Sequence, residues 1–80
     1  MSGDELLLQS PLLYRLLREP SGALVLEVVV GGIALRAVRV RLDADEAAAY
    51  ARDGRAFADR LARAVLADPA YGGRAYDPPS

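Results

Sequence analysis

The segment Ala23–Val30 constrains the fold more than any other part of this chain. It reads Ala-Leu-Val-Leu-Glu-Val-Val-Val, an apolar and β-branched run that is typical of a central strand. Before it, Glu19-Pro20-Ser21-Gly22 is typical of a type I turn closed by a glycine bulge, and after it Gly31-Gly32 is typical of a two-residue hairpin loop. The neighbouring segments Leu12–Arg18 and Ile33–Leu42 are therefore predicted to be antiparallel strands.

The first of these strands has an alternative. Ser10 could act as the N-cap of a short helix, with Pro11 at the first helical position. We favour the strand because the turn at residues 19–22 follows at once. Residues 1–11 are then an N-terminal extension, residues 12–68 form the single domain that 80 residues allow, and residues 69–80 form a loose C-terminal tail, pinned at most by Tyr71 or Tyr76.

Counting outward from the two turns assigns each side chain to a face of the sheet. Around the Gly-Gly turn, Glu27 is expected opposite Arg36 and Val28 opposite Leu35. A β-bulge near Arg36 then keeps the rest of the strand in phase. The resulting apolar face contains Leu12, Tyr14, Leu16, Leu24, Leu26, Val28, Val30, Ile33, Leu35, Val38, Val40 and Leu42. On the opposite face Arg15, Glu27 and Arg36 form a charged row, which we interpret first as a surface ladder that sets register.

Residues 43–67 are predicted to form one long helix that covers the apolar face. Asp43 and Glu46 resemble a capping box, and apolar residues recur at helical spacing. Gly54 in the interior costs roughly 1 kcal/mol relative to alanine, so either close packing compensates or the helix bends there. A straight helix of this length would overhang the strands. The side chains expected on the overhang, in need of cover, are Leu61, Val65 and Leu66. The sequence thus predicts an α+β fold, a three-stranded antiparallel meander packed on one face by a long C-terminal helix.

The chain is poorly equipped for catalysis. It lacks His, Cys, Lys, Trp, Asn and Thr, and all ten of its basic residues are Arg. Histidine-activated nucleophiles and thiolate zinc sites are therefore excluded. Asp43, Asp45 and Glu46 could hold a hard metal ion, but acidic residues are also expected at a helix N-terminus, and we favour that interpretation. We expect no enzymatic activity, no cofactor and no metal.

The second sheet face gives the strongest indication of function. It is expected to expose apolar side chains among charged ones, unless Leu6–Leu8 fold back over it, and such patches usually mark interfaces. We predict a small non-catalytic protein-interaction module of the accessory-subunit, antitoxin or immunity-protein type, whose partner is a second copy of itself, in a homodimer, or another protein. The candidate interface residues are Leu13, Leu17, Val25 and Val29 on this face, Arg36, Arg39 and Arg41 on the edge strand, and Leu61, Val65 and Leu66 on the helix.

The alternative is nucleic-acid binding through the arginines of this face. In topology, three strands and a C-terminal helix are similar to the sheet-reading DNA-binding domains of integrases and plant AP2 factors, although topology alone carries over no residues. A net charge of −1 and the position of Glu27 among the arginines weigh against it. The acidic start and the absence of an apolar run near ~20 residues give no sign of export or membrane insertion, so a cytoplasmic location is expected.

Overall fold

The computed structural model describes residues 3–10, 13–31 and 35–78. Four antiparallel strands form one sheet in chain order: β1 Glu5–Ser10, β2 Tyr14–Arg18, β3 Leu24–Val30 and β4 Arg36–Arg41. Two helices and a short 3₁₀ turn follow: α1 Ala44–Asp53, α2 Arg55–Ala67 and the turn Tyr71–Gly73. The predicted α+β class and antiparallel meander are confirmed, while the sheet has one strand more and the helical region one break more than predicted.

The additional strand is β1. Residues 5–10, assigned above to an extension, pair with β2, and Ser10 lies opposite Tyr14. The register shifts between Leu6 and Leu8, so the three leucines do not alternate between the faces. An apolar run without alternation carries no clear strand signal, which explains why the sequence pattern misses it. These leucines extend the edge of the sheet, and the alternative in which they fold back across its second face is not realised.

The turn between β2 and β3 has the predicted form. The amide of Gly22 donates to the carbonyl of Glu19 at 2.8 Å, and the amide of Glu19 donates to the carbonyl of Ala23 at 2.8 Å. Gly22 has φ of +92°, which glycine adopts without a steric penalty. The strand prediction for residues 14–18 is confirmed, and this turn places Arg15 opposite Glu27 as predicted.

The register between β3 and β4 differs from the prediction. Glu27 lies opposite Arg39 instead of Arg36, and Arg36 lies opposite Val30. The pairing runs without a shift, so the β-bulge near Arg36 is wrong as well. Because Val30 lies opposite Arg36, β4 is in phase with β3 and the hydrogen-bond ladder is unbroken, which a two-residue turn with a bulge would not allow. Leu35 precedes β4 and is 69% exposed, so its predicted place on the apolar face is wrong.

The helical region bends at Gly54. This residue has φ of +60° and ψ of −131° and separates α1 from α2. A Cβ atom built there would have no heavy atom within 4 Å, so the backbone conformation and not close packing requires glycine. At the start of α1 the predicted capping box is present: Glu46 N–H donates to Asp43 Oδ1 and Asp43 N–H donates to Glu46 Oε1, both at 2.8 Å.

The core lies between α2 and the sheet face that α2 covers. Its buried members are Tyr14, Leu16, Leu26, Val28, Val30, Val38, Val40, Leu42, Ala58, Leu61, Ala62 and Val65. Because the bend leaves two short helices, the predicted overhang is wrong, and Leu61 and Val65 pack inside the molecule. Leu12, Gly32 and Ile33, which the sequence analysis placed on a strand or in a turn, lie outside the described residues. Within the described ranges no helix is long and apolar enough to cross a membrane.

Candidate protein-binding surface

The sheet face that points away from α2, called the open face below, is formed by alternate residues of β2, β3 and β4 together with two residues of β1. Strand register places on it Leu6, Gln9, Arg15, Leu17, Val25, Glu27, Val29, Ala37, Arg39 and Arg41. Leu13 joins them, because the amide of Val29 donates to the Leu13 carbonyl at 3.0 Å and so aligns these two residues. The four apolar candidates that the sequence assigns to this face are therefore all located there.

Only part of this apolar surface reaches solvent. Leu13 is 43% and Val29 is 40% exposed, whereas Leu17 and Val25 are buried within the chain. In adjoining strands Leu6 pairs with Leu17 and Arg41 pairs with Val25. Leu6, on the β1 edge, is 51% exposed, and the other accessible apolar area lies at the end of the sheet where Leu13 and Val29 meet; we call Leu13 and Val29 the Leu13–Val29 patch.

An ion-pair row crosses the middle of the open face. Arg15 Nε donates to Glu27 Oε1 at 2.7 Å, and Arg39 Nε donates to Glu27 Oε2 at 2.8 Å. Arg39 is only 8% exposed, and its Nη1 lies 3.7 Å from Asp4 Oδ2. Burial raises the pKa of Glu27, but the hydrogen bonds from the two arginines outweigh burial and hold this pKa below its ordinary value. The charged row predicted from the sequence exists, with Arg39 in the place assigned to Arg36.

The remaining arginines of the predicted cluster are also paired. Arg36 Nη1 lies 3.5 Å from Asp77 Oδ1 at the end of the sheet. Arg41 donates from Nε and Nη2 to Glu19 Oε1, at 3.1 and 3.0 Å. Each arginine that the sequence offers for phosphate contact therefore already has a carboxylate partner.

A small cleft opens beside the ion-pair row. Its volume is about 120 Å³, and it is lined by Gln9, Ser10, Leu13, Tyr14, Arg15, Glu27 and Val29. Pockets that hold cofactors or drug-sized ligands are typically about 300–1,000 Å³. The cleft instead provides an apolar wall from the Leu13–Val29 patch next to hydrogen-bonding groups, a combination suited to a side chain of a protein partner.

The C-terminal segment is anchored, although the sequence predicts a loose tail. The amide of Tyr76 donates to the Arg39 carbonyl at 2.8 Å, and the Arg39 amide donates to the Tyr76 carbonyl at 2.7 Å. Arg74 Nη2 donates to the carbonyl of Arg41 at 2.9 Å. Tyr71 donates its hydroxyl proton to Glu46 Oε2 at 3.1 Å. The segment therefore lies along the outer edge of β4.

Glu46 ties this segment to the start of α1. It accepts hydrogen bonds from Arg74, from the amide of Asp43 and from Tyr71. Burial raises the pKa of Glu46, but these donors outweigh burial and lower it overall, while burial and the Glu46 carboxylate raise the pKa of Tyr71. Among the described residues no group of three or more acidic side chains is arranged to hold a metal ion.

Leu66 and Tyr14 lie at or against helix α2. Leu66, the last of the helix candidates, is 39% exposed near the end of α2. Tyr14 donates its hydroxyl proton to Asp59 Oδ1 and so links β2 to α2, and burial together with Asp59 raises the pKa of Tyr14. The sequence pattern marks Tyr14 as a core residue and gives no sign of this bond, because its partner is distant in the chain.

Comparison with protein-family models finds no match, and searches of curated proteins and of solved structures find none either. A function therefore has to follow from the geometry of this chain alone.

Proposed function

We propose that this chain is a small non-catalytic protein-interaction module of the cytoplasm that acts as a homodimer. One observation carries the proposal. Among the described residues, five large apolar side chains are more than a third exposed: Leu6, Leu13, Val29, Leu35 and Leu66. Three of them, Leu6, Leu13 and Val29, lie on a sheet face that no described helix covers. Exposed apolar side chains concentrated on one face favour association with another protein surface.

The electrostatics of the open face suit burial against a protein. Arg15, Glu27, Arg39 and Asp4 alternate in sign and bond one another, so the row has little net charge. A partner that covers them would not leave an unpaired charge in the interface, which is the costly outcome. The accessible residues combine three apolar side chains, Leu6, Leu13 and Val29, with the half-exposed side chain of Arg15, and arginine is enriched in interfaces.

Size also favours self-association. A domain of 80 residues buries a smaller fraction of its surface than a larger one, and it has no cysteine for a disulfide. Small domains of this kind often gain stability by oligomerising. Roles as an accessory subunit, an antitoxin or an immunity-type inhibitor all require binding without chemistry, which fits a chain that lacks His, Cys and Lys. No observation favours the nucleic-acid alternative, because its arginines are paired with carboxylates.

The experiment is light scattering over a concentration series from micromolar to millimolar. We expect a species of twice the chain mass of 8.5 kDa that dissociates on dilution. As an independent readout, the urea midpoint of a dimer must rise with protein concentration, whereas that of a monomer does not change. A single-chain mass at every concentration, with a constant urea midpoint, would contradict the proposed homodimer.

A further inference from the structure

We propose that two copies join edge to edge through β1, antiparallel, with the two-fold axis between Leu7 and Leu8, so that their sheets become one sheet. This inference rests on the proposed homodimer and places its interface at the β1 edge, so that the open face of each copy stays free to bind another protein. It follows from three features of the described residues: a closed edge at β4, an open edge at β1, and a palindromic order of faces along β1.

The β4 edge is already occupied by the chain itself. Both backbone groups of Arg39 are bonded to Tyr76, and the carbonyl of Arg41 is bonded to the guanidinium of Arg74. Natural proteins often protect an edge strand by covering it with another segment. A partner strand cannot pair at this part of β4 without displacing the C-terminal segment.

The β1 edge has no such cover. It is the outermost strand, and apart from the turn bond from the Leu13 amide to the Ser10 carbonyl, no described residue outside β2 bonds its backbone. The bond between Val29 and Leu13 shows that odd-numbered residues of β2 direct their backbone groups toward β3. Arg15 is one of these, so its partner in β1, Gln9, directs its own N–H and C=O away from β2. These groups are available to an additional strand.

The order of faces along β1 selects the partner. Glu5, Leu8 and Ser10 pair with residues on the helix side of β2, and Leu7 packs against the core on that side. Leu6 and Gln9 pair with open-face residues. Reading along the strand, the order is helix side, open face, helix side, helix side, open face, helix side. The order is the same in reverse, because the irregularity between Leu6 and Leu8 puts two successive residues on one side.

This symmetry is what a second copy requires. Residues directly opposite in an antiparallel pair must share a face. A two-fold axis between Leu7 and Leu8 places Glu5 opposite Ser10, Leu6 opposite Gln9 and Leu7 opposite Leu8, and every pair matches. The only charge of the strand, Glu5, then faces a neutral serine, so no like charges meet. A second copy of the chain therefore fits this edge in face order and in charge, without any change in the strand.

The arrangement closes after two copies. An interface that uses the same strand in both subunits is isologous, and it leaves β4 protected at each end of the combined sheet. The axis runs perpendicular to the sheet, so both open faces lie on the same side. Each subunit keeps its own Leu13–Val29 patch, and the dimer presents two of them on one surface.

Cysteine cross-linking tests this register directly, because the natural chain has no cysteine. Leu6→Cys and Gln9→Cys chains are mixed in equal amounts and oxidised mildly. Residues 6 and 9 of different copies would lie about 5 Å apart at Cα, whereas two copies of residue 6, or of residue 9, would lie roughly 10 Å apart. Since a disulfide needs a separation below about 7 Å, the mixed link is expected at least about tenfold more often than either self-link.

A backbone variant supplies the second measurement. Gln9→Pro removes the outward N–H while leaving the bonds to β2, and edge strands tolerate proline in this orientation. It is expected to raise the dimer dissociation constant at least about tenfold, while the matched control Gln9→Ala keeps it within about twofold. If light scattering shows a dimer but the links form without preference, or if Gln9→Pro dimerises like the natural chain, the β1 interface is refuted and the proposed homodimer stands. A natural chain that stays monomeric refutes both.

Discussion

Replacing Glu27 by alanine tests whether the buried arginine of the open face depends on this carboxylate. Glu27 bonds two arginines of different exposure: the side chain of Arg15 is 46% exposed and that of Arg39 is 9% exposed. Removing one partner of a buried pair costs about 3–5 kcal/mol, whereas an exposed pair is worth about 0–1 kcal/mol. Arg39 retains Asp4 at 3.7 Å, so we expect a loss near the lower limit, about 3 kcal/mol for Glu27→Ala.

Arg15→Ala is the matched comparison, because it removes the exposed half of the same row. It is expected to cost less than about 1 kcal/mol. The assay is urea unfolding followed by circular dichroism at neutral pH and one fixed protein concentration. Small proteins of this size have a total stability of roughly 4–12 kcal/mol, so the two variants are readily distinguished. The urea midpoint should move at an unchanged slope.

A double variant separates the loss of the pair from the burial of a lone charge. Arg39→Met combined with Glu27→Ala leaves no buried guanidinium, and it is expected to recover most of the loss of Glu27→Ala. If Glu27→Ala and Arg15→Ala differ by less than about 0.5 kcal/mol, or if the double variant is no more stable than Glu27→Ala, burial of Arg39 is not the source of the effect.

Three further outcomes are expected. The folded pKa values of Glu27 and Glu46 are lowered, so these groups stabilise the fold above their unfolded pKa of about 4.3. They lose this contribution as the pH falls through the folded pKa values. In urea titrations, the double variant Glu27→Gln with Glu46→Gln should therefore lose less stability than the natural chain between about pH 6 and about pH 3. Replacing Gly54 by L-alanine should lower the free energy of unfolding by about 1–3 kcal/mol although there is room for its Cβ, whereas D-alanine introduced by chemical synthesis should not lower it. Equal losses for the two variants would contradict a backbone cause. Tyr76→Pro removes the amide that donates to the Arg39 carbonyl at the β4 edge, so sedimentation should detect species larger than the dimer. The control Tyr76→Phe removes a buried hydroxyl that has no hydrogen-bond partner, so this variant should stay dimeric and lose no stability.

The parts of the fold that the sequence predicts are those with short-range signals. Alternation, the turn at Glu19–Gly22 and the capping box at Asp43 all act within a few residues, and the structure confirms them. The predicted β3–β4 register is wrong because a two-residue turn with a bulge and an unbroken ladder that starts at Val30 and Arg36 produce the same apolar phase. The sequence is compatible with either close packing or a helix bend at Gly54, and only the backbone geometry decides between them.

The candidate surface is predicted in outline. Leu13 and Val29 are exposed on the face where the pattern places them, while Leu17 and Val25 lie on the same face but are buried. Strand periodicity does not predict this difference, because it depends on which residues cover each side chain. The irregularity in β1 hides that strand from pattern analysis. The same irregularity creates the symmetric face order on which the inferred interface depends.

The anchoring of the C-terminal segment affects how readily the protein associates during storage in solution. Its contacts reach back 25 to 41 residues along the chain, yet they join it to the sheet through one backbone bridge and a few side chains. Such a segment can undock while the four strands remain paired, because local openings need far less free energy than global unfolding. The Arg39 amide, bonded outward to Tyr76, then exchanges its hydrogen faster than amides that are bonded between strands. We therefore expect the population of undocked molecules, and not the unfolded fraction, to determine how quickly a concentrated solution begins to associate through β4.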